Sequence, residues 1–112
     1  MDVNKRQVGD VTILDLKGKI TIGVGDVQLR NAVSEVLNGG ATKVLINMAG
    51  VSTIDSSGIG ELVSAYTTAT NRGAKLKLIS LPAKVSDILT ITQLITVFDV
   101  YDTEAEGIQA FS

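Results

Sequence analysis

The stretch "KVLINM", Lys43 to Met48, limits the fold more than any other. Its apolar residues run on without the alternation shown by a strand with one wet face, so the segment needs cover on both sides. That makes it a central strand in a sheet carrying helices. The neighbouring segments supply the rest of such a sheet. "VNKRQVGDVTILDLKGK" gives two extended runs around a turn at Val8-Gly9-Asp10. From Asp26, its expected N-cap, Leu29, Val33, Val36 and Leu37 fall at i, i+4, i+7 and i+8, and Asn38-Gly39-Gly40 ends the helix.

After the central strand, "GVSTIDSSGIGELVSAYTTATNRG" carries a second helical stripe of Ile59, Leu62, Val63 and Tyr66. "AKLKLIS" is a short strand, and Pro82 stands near the first turn of a third helix marked by Val85, Ile88 and Leu89, ending near Thr92. "TVFDVY" reads as a last strand. Thr103 with Glu106 three places on is a capping box for a terminal helix carrying Ala105, Ile108 and Phe111. The order predicts one α/β domain over residues 1–112, a mixed sheet of about four to five strands, parallel in its later half and flanked by about four α-helices.

Composition removes several classes of function. Histidine and cysteine are both absent, which excludes Ser-His-Asp and Cys-His catalysis and ordinary zinc sites. The acidic residues are dispersed without calcium-loop spacing, so no metal and no cofactor is expected. With a net charge of -2, basic residues scattered from Lys5 to Lys84 and 4% aromatics, the chain lacks the footprint of a nucleic-acid binder. No run approaches the roughly 18 apolar residues of a membrane span, and "MDVNKRQVGD" lacks a signal peptide's apolar core, so a cytoplasmic protein is expected.

One motif stands out against this plain background. "STIDSSGIGELV" sets Asp55, Ser56, Ser57, Gly58 and Gly60 where the buried strand gives way to the second helix. A helix start carries unpaired N–H groups and a partial positive charge, so either serine can serve as its cap. The glycines leave the first turn uncovered for a close approach by another surface. "GVGDVQ" at Gly23 and "GIGELV" at Gly58 each lack the third glycine of a dinucleotide fingerprint and the ending of a P-loop. A hydroxyl in a domain without catalytic equipment is better placed to be acted upon than to act. Phosphorylation would add about -1.5 to -2 charge there, and the helix dipole tolerates an anion at that end.

"LKGKI", "KVLINMAGVSTIDSSGIGELVSAY" and "GAKLKLISLPAKVSDIL" together resemble the STAS family, the bacterial anti-sigma factor antagonists, over essentially the whole chain. The resemblance implies a binding module and not an enzyme. It also implies that Ser56, directly after the motif aspartate, is phosphorylated by an anti-sigma factor that is itself a serine kinase, with Ser57 as the alternative acceptor. The dephosphorylated form would bind that kinase and free a sigma factor, and a phosphatase would restore it. Gly23, Asp26, Asp55, Ser56, Ser57, Gly58 and Gly60 are the expected partner contacts. Thr21 stands where sporulation-type relatives usually carry an acidic residue, and Asp26 is the nearest carboxylate able to take that role. Two other readings fit the same residues: a non-switching scaffold assembling as a homodimer or with other STAS proteins, and a small-ligand or nucleotide sensor.

Overall fold

The computed structural model describes residues 1–112 and places five strands side by side in the order of the chain. β1 (Asp2–Val8) and β2 (Val11–Ile20) form an antiparallel hairpin, closed by Gly9-Asp10 with Val8 opposite Val11. β3 (Lys43–Ile54), β4 (Lys75–Ile79) and β5 (Asp99–Tyr101) then add in parallel. The connecting helices are α1 (Gly25–Asn38), α2 (Ser56–Asn71) and α3 (Ala83–Ile91), and α4 (Glu104–Gln109) closes the chain. No helix is long and apolar enough to cross a membrane.

Strand parity divides the core into two layers. Val44, Ile46 and Met48 of β3 join Leu14 and Leu16 of β2 in the larger cluster, packed with Leu29 and Val33 of α1, Leu62 and Ala65 of α2, and Val85 and Leu89 of α3. Leu45, between them in sequence, joins Val11, Ile13, Ile79 and Phe111 on the opposite face, where α4 lies. This is why Val44, Leu45 and Ile46 run on without alternation: at those positions both faces of the strand are covered. Beyond α4 that second face turns polar. Arg6 Nη2 donates to Asp15 at 2.9 Å and to Glu104 at 2.6 Å, tying the first strand to the last helix, and Asn47 Nδ2 adds a 2.8 Å bond to Asp15.

Several boundaries differ from the sequence reading. β3 continues through Ala49 and Gly50 to Ile54, and its pairing with β2 shifts register between Asp15 and Lys17 and again between Gly18 and Lys19. A Cβ on Gly50 would lie 2.8 Å from Leu16 O, so glycine permits the irregular pairing. The last strand is only three residues long. A 3₁₀ turn over Leu94–Thr96, entered through Gln93 at φ 63°, takes up the start of "TVFDVY". Phe98 is buried instead as a core residue, its ring 5.5 Å from that of Tyr66 and edge-on to it. In α2, Ala65 and Ala69 are buried more deeply than Val63 and Tyr66. In α4, Ala105 is exposed and Gly107 takes the inward place beside Ile108.

Gly107 gives a test of the second layer. A Cβ there would stand 2.6 Å from Ile79 Cγ2 and 3.0 Å from Leu45 Cδ1. Gly107→Ala gains up to about 1 kcal/mol of helix propensity but overpacks the site at a cost of about 1–3 kcal/mol. The expected outcome is a lower midpoint in urea unfolding, with amide NMR shifts at Ile22 and Gly58 unchanged because those residues lie at the other helix starts.

Candidate functional site

β2 and β3 outrun the rest of the sheet. Their last paired residues, Ile20 and Ile54, carry the chain directly into the starts of α1 and α2. Both helices open against the same backbone. A Cβ on Gly25 would collide with Lys19 O and sit 2.9 Å from Ile20 Cα, whereas one on Gly58 would collide with Ile20 O and sit 2.7 Å from Ile54 Cγ1. Glycine is therefore required at both positions for packing. This corrects the expectation that Gly58 leaves the first turn open, because Gly58 is buried against Ile20. Gly60 has that property: a Cβ there meets nothing within 4 Å, and the residue is exposed. Gly23 serves the turn itself, at φ +99° in open space.

Asp55 joins the two loops. Its Oδ1 accepts from Gly58 N at 2.9 Å and its Oδ2 from Ile22 N at 2.9 Å, while its own N–H donates to Ile20 O at 3.3 Å. The N-cap of α2 is thus Asp55, in extended conformation, and neither Ser56 nor Ser57 as considered from the sequence. The two serines occupy the first two helical positions, Ser56 exposed and Ser57 half-buried. The amides of Gly58 first, and Ile22 next, hold the Asp55 carboxyl below the ordinary aspartate value of 3.8.

Asp26 is not the N-cap of α1. That place falls to Val24, without a side-chain cap, and Asp26 sits inside the first turn with its Oδ1 accepting from Val27 N at 2.8 Å. At 9% exposure it is drawn away from the surface. Its N–H donates to Thr21 O at 3.1 Å, which fixes the entry of the loop. The structure therefore brings Gly23, Asp55, Ser56, Ser57 and Gly60 to one edge, with Gly58 beneath them. Gly25 was absent from the sequence candidates. Its signal was the second glycine of "GVGDV", matching in role the first glycine of "GIGELV".

A sequence profile of the STAS domain matches residues 2–107. The chain belongs to the STAS domain family. It is similar to a candidate anti-sigma factor antagonist of Thermotoga neapolitana, with 29% identity over 102 residues, 91% of this chain and 90% of that protein. The crystal structure of a candidate anti-sigma factor antagonist from Thermotoga maritima superposes with a TM-score of 0.89 at 27% identity, covering 96% of this STAS chain and 92% of its counterpart. The unphosphorylated anti-sigma factor antagonist SpoIIAA superposes with a TM-score of 0.81 at 20% identity, covering 98% of this chain and 96% of SpoIIAA. At that identity the likeness is one of fold.

The depressed Asp55 carboxyl sets a pH window. A carboxyl with a lower value in the folded state contributes stability above its unfolded value and loses it as pH falls through the folded one. The two-loop bridge should therefore persist at pH 4 and open only below the ordinary aspartate value. In an NMR titration the amide shifts of Ile22 and Gly58 are expected to move together, with a common midpoint below 3.8. Asp55→Ala should abolish that transition and shift Ile22 even at neutral pH.

Proposed function

We propose that this STAS domain is an anti-sigma factor antagonist switched by phosphorylation of Ser56. The observation that carries the reading is the division of labour at the start of α2, where Asp55 caps the helix and Ser56 stands exposed one residue later. Both Asp55 carboxylate oxygens accept backbone amides, so the carboxylate holds the loop and is not a free base for the serine. Ser56 is a substrate in this reading. A kinase partner forms the bond between Ser56 Oγ and the γ-phosphorus of ATP, ADP leaves, and the hydroxyl proton passes to the kinase's own base.

The phosphate would stand at the N-terminal end of a sixteen-residue helix, where unpaired amides and the helix dipole favour an anion. The fold thus accommodates the charge, and the change falls on what can dock. The Thermotoga relatives carry the description of candidate anti-sigma factor antagonists, which supports an anti-sigma factor as the partner. In its dephosphorylated form the domain binds an anti-sigma factor with serine kinase activity and frees a sigma factor. A phosphatase resets it. Such a protein is a regulatory binding module working in the cytoplasm.

Incubating wild type, Ser56→Ala and Ser57→Ala with each purified kinase-fold anti-sigma protein of the source organism and ATP, then mapping phosphopeptides, tests the assignment. Phosphate is expected on Ser56 of wild type and of Ser57→Ala, and none on the remaining Ser57 of Ser56→Ala, which keeps its binding. Phosphate on Ser57 alone would refute the assignment. No binding to any such protein, with self-association or association with other STAS proteins in its place, would favour the scaffold.

Gly60→Arg tests the docking face. Open space at Gly60 means that the fold accepts a side chain there, with stability changing by less than about 1 kcal/mol. Partner affinity is expected to fall by more than about 2 kcal/mol, as at an interface hot spot. Calorimetric titration showing unchanged affinity would move the contact elsewhere.

A further inference from the structure

The loop between β2 and α1 exposes two large aliphatic side chains beside the switch serine. Ile22 is 73% exposed and Val24 is 63% exposed. The other exposed large hydrophobics, Val8, Ile91 and Val97, belong to separate segments, so this pair within three residues is a concentration. Single exposed aliphatics are ordinary on protein surfaces; a local cluster beside a site is not. The turn does not require them, because Gly23 alone supplies the positive φ.

The loop is also held in place before any partner arrives. Ile22 N–H donates to Asp55 Oδ2 at 2.9 Å, Thr21 O accepts from Asp26 N at 3.1 Å, and Val24 O accepts from Gln28 N at 2.9 Å. Both aliphatic residues are β-branched, with few rotamers to lose. Ordered backbone and stiff side chains lower the entropy cost of docking. Residues 20–25, "ITIGVG", carry no charge, and Asp26 folds its carboxylate back onto its own helix. The exposed positions Ile22, Gly23, Val24, Ser56 and Gly60 are uncharged before modification. The ionised Asp55 carboxylate between the loops is held by two backbone amides, and Lys19 is an exposed charge on the strand leading into the turn.

We infer that Ile22 and Val24 are apolar anchors that enter a hydrophobic recess on the kinase partner, and that phosphate on Ser56 releases the complex by the cost of burying its charge in that dry contact. This rests on the reading of Ser56 as the switch and names the chemistry of the surface that reads it. An acidic loop would instead pair with basic groups on the partner. The two cases respond differently to salt: like-charge repulsion between exposed groups is screened at 1 M salt, where the Debye length is about 3 Å. The desolvation cost of a phosphate against apolar surface is not screened.

The test measures Kd by calorimetry at 0.1 M and 1 M NaCl, using the purified kinase that modifies Ser56. Four chains are compared: wild type, Ile22→Ser/Val24→Ser, Ile91→Ser as a control on an exposed aliphatic elsewhere, and wild type phosphorylated on Ser56. Circular dichroism and urea unfolding confirm that each is folded. The double variant should bind at least 30-fold more weakly at both salt concentrations, with Ile91→Ser unchanged. Wild-type Kd should shift less than threefold with salt, and the phosphorylated chain should stay at least 100-fold weaker at 1 M NaCl. Wild-type affinity in the double variant, or recovered affinity of the phosphorylated chain at high salt, would overturn this inference while leaving Ser56 as the switch. Absence of binding by wild type at either salt concentration would remove the underlying reading and this inference with it.

Discussion

The end of β2 is approached by two helix starts that leave no room for a Cβ, Gly25 against the Lys19 carbonyl and Gly58 against the Ile20 carbonyl. Everything at the site follows from that approach. Because α1 and α2 both open there, the loops preceding them lie within reach of one carboxylate, and Asp55 bonds an amide in each. Long β2 and β3 make this possible by carrying Ile20 and Ile54 past the last residues of β4 and into register with each other. The register shifts near Lys17 and Gly18 belong to the same design, since a strand that bulges also twists and can re-aim its end.

Capping by Asp55 has a consequence for chemistry. A helix capped by its serine holds that hydroxyl in a bond to its own backbone, and modification must break the cap. Here the aspartate does the capping and the serine following it is exposed. On the proposed reading, a phosphate is added or removed there without dismantling the helix start. The depressed Asp55 carboxyl is a sign of the same arrangement: its ionised form is the one that two amides hold.

The parts of the fold legible in the sequence are those governed by periodicity. The run at 43–48, the heptad-like face of α1 and the Thr103–Glu106 box each report a local rule, and each produced its element; Thr103 Oγ1 accepts from Glu106 N at 3.2 Å. What the sequence concealed depends on contacts between distant segments. Gly58 and Gly60 are chemically identical and two residues apart, yet one is pinned by Ile20 and the other faces open space. Asp26 looked like a cap because a helix began near it, but the cap position falls two residues earlier, at Val24, so that Gly25 opens α1 and meets Lys19 and Ile20. In "TVFDVY" the β-branched composition favours strand, whereas the left-handed turn at Gln93, the 3₁₀ turn ending at Thr96 and the burial of Phe98 leave only Asp99–Tyr101 to pair. Ala65 and Ala69 escaped the stripe in α2 because small residues give a weak signal, although they are what lets that helix lie close to the core.

Stability and the proposed binding are separable in this domain for a geometric reason. α2 is held by Gly58, Ile59, Leu62, Ala65 and Ala69 along its inward face, while Ser56 and Gly60 are exposed on the outward side of its start. Burying a leucine of this kind contributes about 1.5–3 kcal/mol, and no part of that burial involves the outward hydroxyl. A charge placed on Ser56 therefore meets helix-end amides on one side and solvent on the other, and the apolar layer below does not register it. The same charge would be costly only when a partner removes the solvent. A switch that acts through docking, and not through unfolding, is the result to be expected when the modified group stands outside the core that holds its helix.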